Sequence, residues 1–516
     1  MDFNIIYVSN SSATIEIINN NPYNSLKLYS VYINDLLYKD NIDTNVFSIF
    51  NLESNKSYKI TVKSDLEVSK TFTTSYEYVE LNVKRFGAKG DGVSDDTNFI
   101  QATINACPKN GTVRIPEGTY YVRPLFLKSN ITIKLERNAK LLGDTDRKNY
   151  PILPGMTLLT DESDEYNLGT WEGNPLDCFA SIITGIEVEN VNIIGEGIID
   201  GNASNSDWWQ NEKEKVISWR PRGMFLVRCN NINVQGVTVC NTPSWNLHPY
   251  FSDNLKFIDL KIINPKVSPN TDGCDPESCT NVDIIGVHFS VGDDCIAVKS
   301  GKIYMGRKYK KPSSNFNIRN CSMNYGHGAI VLGSEMAGGL KDILISQCVF
   351  NETDRGLRIK TRRGRGKDAI IDGITFDNIK MNKVLTPLVI NMYYYCDPDG
   401  KSEYVRSKEI LPVDDRTPYL GKFVFKNMNC ENVAIAAGTF YGLPEMPIES
   451  VKLENINFTY DSNANAGLPA MMEGISEMKN RGFIFYNVKN VELKNVILPD
   501  NIKDDIECTN VKTLIK

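Results

Sequence analysis

The chain has 516 residues, with 57 Lys and Arg against 63 Asp and Glu, a formal net charge of −6. This acidic balance argues against nucleic acid as a general partner, and with no apolar run of about 18 residues no membrane-spanning helix is expected. The length exceeds one compact domain and suits a long repeat array with a small module attached, while 24 Tyr against three His leans toward strands.

Taken from the start, Met1-Asp2-Phe3-Asn4 carries neither a basic region nor an apolar run of the kind that directs secretion. The 12 Cys form no Cys-x-x-Cys pair, and Cys229, Cys240, Cys295, Cys321 and Cys348 sit in apolar strand patterns. Free buried thiols and no leader point to a reducing, cytoplasmic setting and no structural zinc. Residues 1–78 alternate short apolar runs with Asn-rich turns, the pattern of a β-sandwich. Leu52 followed by Tyr58 resembles the tyrosine corner of fibronectin type III domains. Such a module implies no activity of its own and reads as a spacer, or as a wall at one end of a neighbouring cleft.

Residues 79–516 read as one long domain. Arg85 to Thr97 is a dense Gly/Asp turn leading into an amphipathic helix with Phe99, Ile100, Thr103, Ile104 and Cys107 on one face, its start capped by Asp or Thr. Asp91, Asp95 and Asp96 lack EF-hand spacing, so they read as turn and cap residues, not a calcium loop. This stretch resembles the opening of the pectate-lyase-like β-helix superfamily, in which a helix covers the first open coil. From about residue 125 a loose repeat follows: Asn, an apolar–polar alternation, Gly or Asn, and alternation again. Asn190, Asn231, Asn254, Asn281 and Asn315 begin five units with irregular spacing and no helical periodicity between them. Each unit is one coil, and stacking the coils buries a core that none could close alone. A β-propeller would need about 40 residues per blade, more than the shortest spacing here. The expected architecture is all-β: a right-handed parallel β-helix preceded by a small β-sandwich.

Between Asn270 and Lys360 the chemistry concentrates. Asp272, the pair Asp293 and Asp294, and His327 between Gly326 and Gly328 are followed by Arg358-Ile359-Lys360. Asp294 lies 22 residues after Asp272, His327 lies 33 after Asp294, and Lys360 lies 33 after His327. If each interval is one coil, the four climb one face as a column about 4.8 Å per step. Crowded carboxylates force at least one to keep its proton, which is the division of labour that glycoside hydrolysis uses. Gly326 and Gly328 read as room for a ligand beside the backbone. Arg355 to Lys367 holds seven cations and no acid, a patch suited to an anionic partner. His248 and His288 read as structural.

The motifs Asn270-Thr271-Asp272, Gly292-Asp293-Asp294, Gly326-His327-Gly328 and Arg358-Ile359-Lys360, in this order, resemble the signature of the polygalacturonase family of glycoside hydrolases. Gly195 to Gly201 with Trp208 and Trp209 is similar to that family's approach to its cleft. The resemblance implies that Asp293 is the general acid, that Asp272 and Asp294 position and deprotonate water, and that the anomeric centre inverts. It implies further that His327 tunes the acid and that Arg358 and Lys360 hold a galacturonate carboxylate with Asn270 nearby. Tyr394, within a run of three tyrosines, would stack on the sugar. The expected partner is an anionic polysaccharide or oligogalacturonide, with no nucleic acid, membrane, metal or cofactor. The insertions Asp161–Asn174 and Cys396–Tyr419 favour attack from a chain end. A random-cutting enzyme, a non-catalytic β-helix binding protein and a calcium-dependent lyase are the alternatives.

Overall fold

In a computed structural model, residues 2–158, 165–396, 398–502 and 505–516 are described; part of the 161–174 insertion lies outside them. Residues 2–73 form two antiparallel sheets face to face. Asp2–Val8, Ala13–Ile18 and Val46–Ile49 make the first, and Leu36–Thr44, Asn24–Ile33, Ser57–Lys63 and Glu67–Thr73 the second. Phe3, Ile15, Val31, Ile60 and Val62 fill the space between them. The Tyr58 hydroxyl accepts a hydrogen bond from the Glu53 backbone N–H at 2.8 Å, the contact a tyrosine corner makes.

From Glu80–Asn82 onward the strands pair in parallel as one continuous 29-stranded ladder that winds through successive coils. Three stacks result. The first holds Glu189–Gly195, Asn230–Gln235, Asp253–Ile258, Thr280–Ile285 and Ser313–Arg319 in register. The second holds the short strands after them, such as His288–Val291 beside Ser322–Tyr325. The third holds Ile296–Val298, Ile330–Gly333, Arg355–Lys360 and Thr386–Asn391. Inward side chains of all three make one core running the length of the helix.

The repeating Asn has a local cause. Asn190, Asn231, Asn254, Asn281 and Asn315 all have φ between 54° and 60°, the left-handed turn from the third stack into the first. Asn tolerates that conformation better than other residues with a Cβ. Their amides also join coil to coil: Asn231 Nδ2 donates to Asn190 Oδ1 at 2.8 Å and Asn281 Nδ2 to Asn254 Oδ1 at 3.0 Å.

The helix Thr97–Ala106 covers the first coil with Ile100, Thr103 and Ile104. Phe99 leaves the expected face and is 39% exposed. Asp96 occupies the N-cap position, but its carboxylate instead accepts the Lys89 and Gly90 N–H groups, at 2.7 and 2.9 Å, holding the turn together. The sandwich docks along the corner between the first and second stacks. Arg319 grips Glu16 through two nitrogens at 2.7 and 3.0 Å, and Val46 packs on Ile258 and Ile285. A Cβ on Gly286, at φ +68°, would lie 2.6 Å from Val46, so this glycine of the repeat is where the module fits. No described residue of the module lines the hollows at the acidic cluster, so it is not the end wall that its position in the chain suggests.

Candidate active site

The third stack sets the register. Cys274 lies beside Ile296, Ile296 beside Ile330, and Ile330 beside Leu357, all pointing inward. Two residues earlier on successive coils stand Asp272, Asp294 and Gly328. Three residues earlier stand Asp293, His327 and Asp354. Asp272 and Asp294 therefore share a level, as their spacing suggests. His327 does not: it stacks over Asp293, and its N–H donates to the Asp293 carbonyl at 3.2 Å. Lys360 sits beside Gly333, on the level of Lys299 and Glu277. The expected single column is thus three neighbouring columns, because loop lengths absorb the offsets. The glycines around His327 do not make room for a ligand. A Cβ at Gly326 would meet the Asp293 carbonyl at 2.5 Å, so that glycine lets one coil pass closely over another, and one at Gly328 would meet the Val331 side chain of its own coil at 2.4 Å.

Carboxylate oxygens of Asp272, Asp293 and Asp294 lie within 4.8 Å of one another. The adjacent acids both reach the cleft because they precede the strand Ile296–Val298 and are not held in its alternation. Asp293 Oδ1 accepts the Asp294 N–H at 2.9 Å. Asp294 is 1% exposed, with Lys360 Nζ at 2.7 Å on one oxygen and Arg358 Nη1 at 3.2 Å on the other. Burial acts to raise its pKa, but Lys360 and Arg358 outweigh burial and hold the carboxyl below the usual range. Burial, followed by Asp275 and Asp293, pushes Asp272 well above that range. Burial and the charge on Asp294 raise Asp293, against opposing pulls from His327 and Lys360. The cluster sets one carboxyl that its cations hold toward ionisation beside two whose surroundings favour the protonated form. The buried Asp272 Oδ1 has no hydrogen-bond partner, which leaves it available to a water or a sugar hydroxyl. The spacing would admit a cation, yet both Asp294 oxygens already hold cationic side chains and the other two acids resist ionisation, so the cluster suits water and sugar better.

His327 is exposed, and its Nδ1 lies 2.9 Å from Asp354 Oδ2. That contact outweighs burial and raises the imidazole pKa, with Asp293 adding to it. The charged imidazole in turn lowers Asp293. Asp354→Asn is expected to let His327 lose its proton at lower pH, so that Asp293 keeps its own to higher pH. The alkaline limb of the kcat profile then shifts upward; a limb that stays put or moves down would break the proposed link.

Asn270 borders the cleft and its Oδ1 accepts from Arg220 Nη2. Of the three tyrosines only Tyr394 lines the cleft, its ring centroid 5.9 Å from Lys360 Nζ, while the Tyr393 hydroxyl is buried on the Gly442 carbonyl. The basic run divides. Arg358 and Lys360 face the acids, but Arg362, Arg363 and Arg365 are at most 4% exposed. Arg362 pairs with Asp399 at 2.8 Å, and Arg363 binds Glu445 at 2.8 Å and the Ser407 carbonyl at 2.7 Å. Arg362 and Arg363 hold the 396–419 insertion in place, and none of the three buried guanidiniums is a surface for an anion. Trp208 is likewise fully buried, packed on Tyr150 and Phe179 behind the cleft.

Four residues in and beneath the floor, Lys299, Glu335, Asp275 and Glu277, escape sequence reasoning. Lys299, 5% exposed, lies 3.2 Å from Glu335 and 3.4 Å from Asp275. Burial raises Asp275 to about 7. Asp275 and Glu277 alternate with each other shortly after Asp272, the same signal that marks Arg358 and Lys360. His248 is structural, 3.2 Å from the buried Glu277.

The hollow over the acids is about 580 Å³ and continues into a second of about 590 Å³ lined by Trp219, Lys213 and Lys266. Outward positions of the third stack are covered on either side of it. Phe225, His248 and Tyr250 are 0% exposed before it, and Val389, Asn391 and Thr439 at most 2% after it. On the first side Trp171, Trp219 and Trp245 stack with planes 5° apart, and Arg222 lies 5.2 Å from the Trp171 ring. The site is a pocket on the sheet face, open toward the corner where His327 stands.

The family model for glycosyl hydrolases family 28 matches residues 122–415. The chain belongs to that family. A probable polygalacturonase of Vitis vinifera is 31% identical over 382 residues, 72% of each chain. An exo-poly-α-D-galacturonosidase of Dickeya chrysanthemi is 28% identical, over 67% of this chain and 62% of that one. Among solved structures, the family 28 exopolygalacturonase of Yersinia enterocolitica aligns with a TM-score of 0.72 at 21% identity over 100% of this chain and 98% of that one, which establishes the shared fold. The hyperthermoactive exopolygalacturonase of Thermotoga maritima aligns with 0.66 at 25% identity, over 81% and 91%. The family 28 match spans every motif from Asn270 to Lys360.

Proposed function

We propose that this family 28 hydrolase cleaves α-1,4-linked galacturonan from a chain end with inversion. The observation that carries the reading is Asp294 paired with Lys360 and Arg358, which hold it toward ionisation, beside Asp293, whose pKa burial and Asp294 raise, in a pocket closed along the sheet. The activities for which the relatives are named support it. Asp293 donates its proton to the leaving oxygen. Asp294 accepts one from a water that the partnerless Asp272 Oδ1 helps to seat. Arg358 and Lys360 line the hollow and have further donors for a substrate carboxylate beside the pair with Asp294, and Tyr394 offers a ring face. Inverting glycosidases usually separate acid and base by about 6.5–9.5 Å to leave room for water. Here the acids sit within 4.8 Å, so water would rest on the floor between Asp272 and Asp294.

Two measurements test this. Early digestion of polygalacturonate should yield one short product with little loss of viscosity; mixed oligomers at early times rule out end attack. Proton NMR of the first product should show the β-anomer; the α-anomer would mean retention and overturn the water assignment.

A further inference from the structure

The segment between Ile448–Tyr460 and Arg481–Ile497 crosses the sheet face just beyond Lys360. Its base is tied by Gly467 and Met478, which exchange backbone hydrogen bonds at 3.0 Å. Arg355 donates to the carbonyls of Leu468 and Pro469, each at 2.8 Å, and Asn391 Nδ2 to that of Met471 at 3.1 Å. The Met471 sulfur lies 2.9 Å from Arg358 Nη2, so the thioether lies directly against a substrate-facing guanidinium. Glu473 pairs with Arg406 of the 396–419 insertion at 3.0 Å. Met471 borders the hollow over the acids, and its neighbour Met472 borders another of about 380 Å³ farther along the same face, lined by Tyr441 and Tyr486. Tyr441 occupies the level of Lys360 and Asn391. The segment thus stands between the two hollows, with Met471 on one and Met472 on the other.

We infer that residues 467–478 are a partition that fixes how many sugars fit beyond Arg358 and Lys360, with Met471 as the limiting contact. This rests on the end-attack reading above and names the element that sets the product length. Five protein–protein contacts hold the segment down, so it acts as a fixed wall. A longer leaving segment would have to displace the Met471 side chain or the anchored backbone beneath it.

The test is the product ladder from tri- to hexagalacturonate. Wild type should release one short product throughout. Replacing residues 469–476 by Gly-Gly, with the Gly467–Met478 tie kept, should raise the proportion of longer products at least about tenfold, the equivalent of about 1.4 kcal/mol of lost exclusion. Met471→Gly keeps its carbonyl bond to Asn391 and should shift the ladder in the same direction if the trimmed chain fails to fold. An unchanged ladder from either folded variant overturns the partition. No hydrolysis of any galacturonide by wild type would instead remove the underlying reading of function.

Discussion

Replacing Asp293 by Asn is expected to lower kcat by about 10²–10⁴-fold, the usual worth of a positioned general acid, with little change in KM. Asn keeps the Oδ1 that accepts the Asp294 N–H at 2.9 Å, so the turn before Ile296 survives. It cannot deliver a proton to the leaving oxygen. Its effect on stability has the opposite sign. A carboxyl whose pKa is raised by folding binds its proton more tightly in the native state, so it costs stability as pH rises. Asp293 is such a group, through burial and Asp294, and Asn removes the cost. Initial rates of reducing-end release and a melting curve at neutral pH check both halves. Wild-type turnover would dismiss Asp293 as the acid. A large fall in melting temperature would mean that the rate loss reports misfolding.

The β-helix was legible because its two signals are local. Alternation marks the strands, and Asn marks the left-handed turn that only a few residue types enter cheaply. The acids were legible because short motifs fix their own neighbourhood: Asp293 and Asp294 share one turn, and Arg358 and Lys360 share one strand face. What failed was inference across loops. His327 and Lys360 were placed by counting residues per coil, but the insertions between coils have no fixed length, so the count found the right coils and the wrong levels. Only backbone pairing, such as Gly333 beside Lys360, settles that.

Burial was the other blind spot. Arg362, Arg363 and Arg365 look in sequence like a continuation of Arg358 and Lys360, yet all three are buried, and Arg362 binds Asp399 while Arg363 binds Glu445 and the Ser407 carbonyl. Their partners are 37 to 82 residues away and carry no periodic signal. The same holds for the Met471 segment, whose 20 irregular residues give no hint that they fold back on Arg355 and Arg358. Both are loops held by side chains of the regular structure, and such pairings appear only once the coils are stacked.

Asp294→Asn is expected to lose both activity and stability, unlike Asp293→Asn. Asp294 is the acid of the three whose pKa the site lowers, and its two oxygens hold Lys360 and Arg358. Its depressed pKa means that its contribution is in place above the unfolded carboxylate range and is lost as pH falls through the lower native value. Asn cannot carry that charge at any pH. It leaves two cations, with side chains 16% and 12% exposed, facing each other without their anion. Breaking a buried pair from one side costs about 3–5 kcal/mol, and the partial exposure here places the expected loss at the low end. The melting temperature should therefore fall at pH 7, and the gap to wild type should narrow as the pH drops toward the native pKa of Asp294. Turnover should fall by about 10²–10⁴-fold through loss of the base, and KM should rise because Arg358 and Lys360 lose the anion that orients them. Asp272→Asn is the matched control: folding raises the Asp272 pKa as it does that of Asp293, so Asn removes a cost and the melting temperature should not fall. Equal destabilisation by the two variants, or a gap for Asp294→Asn that widens in acid, would contradict the assignment of the single negative charge to Asp294.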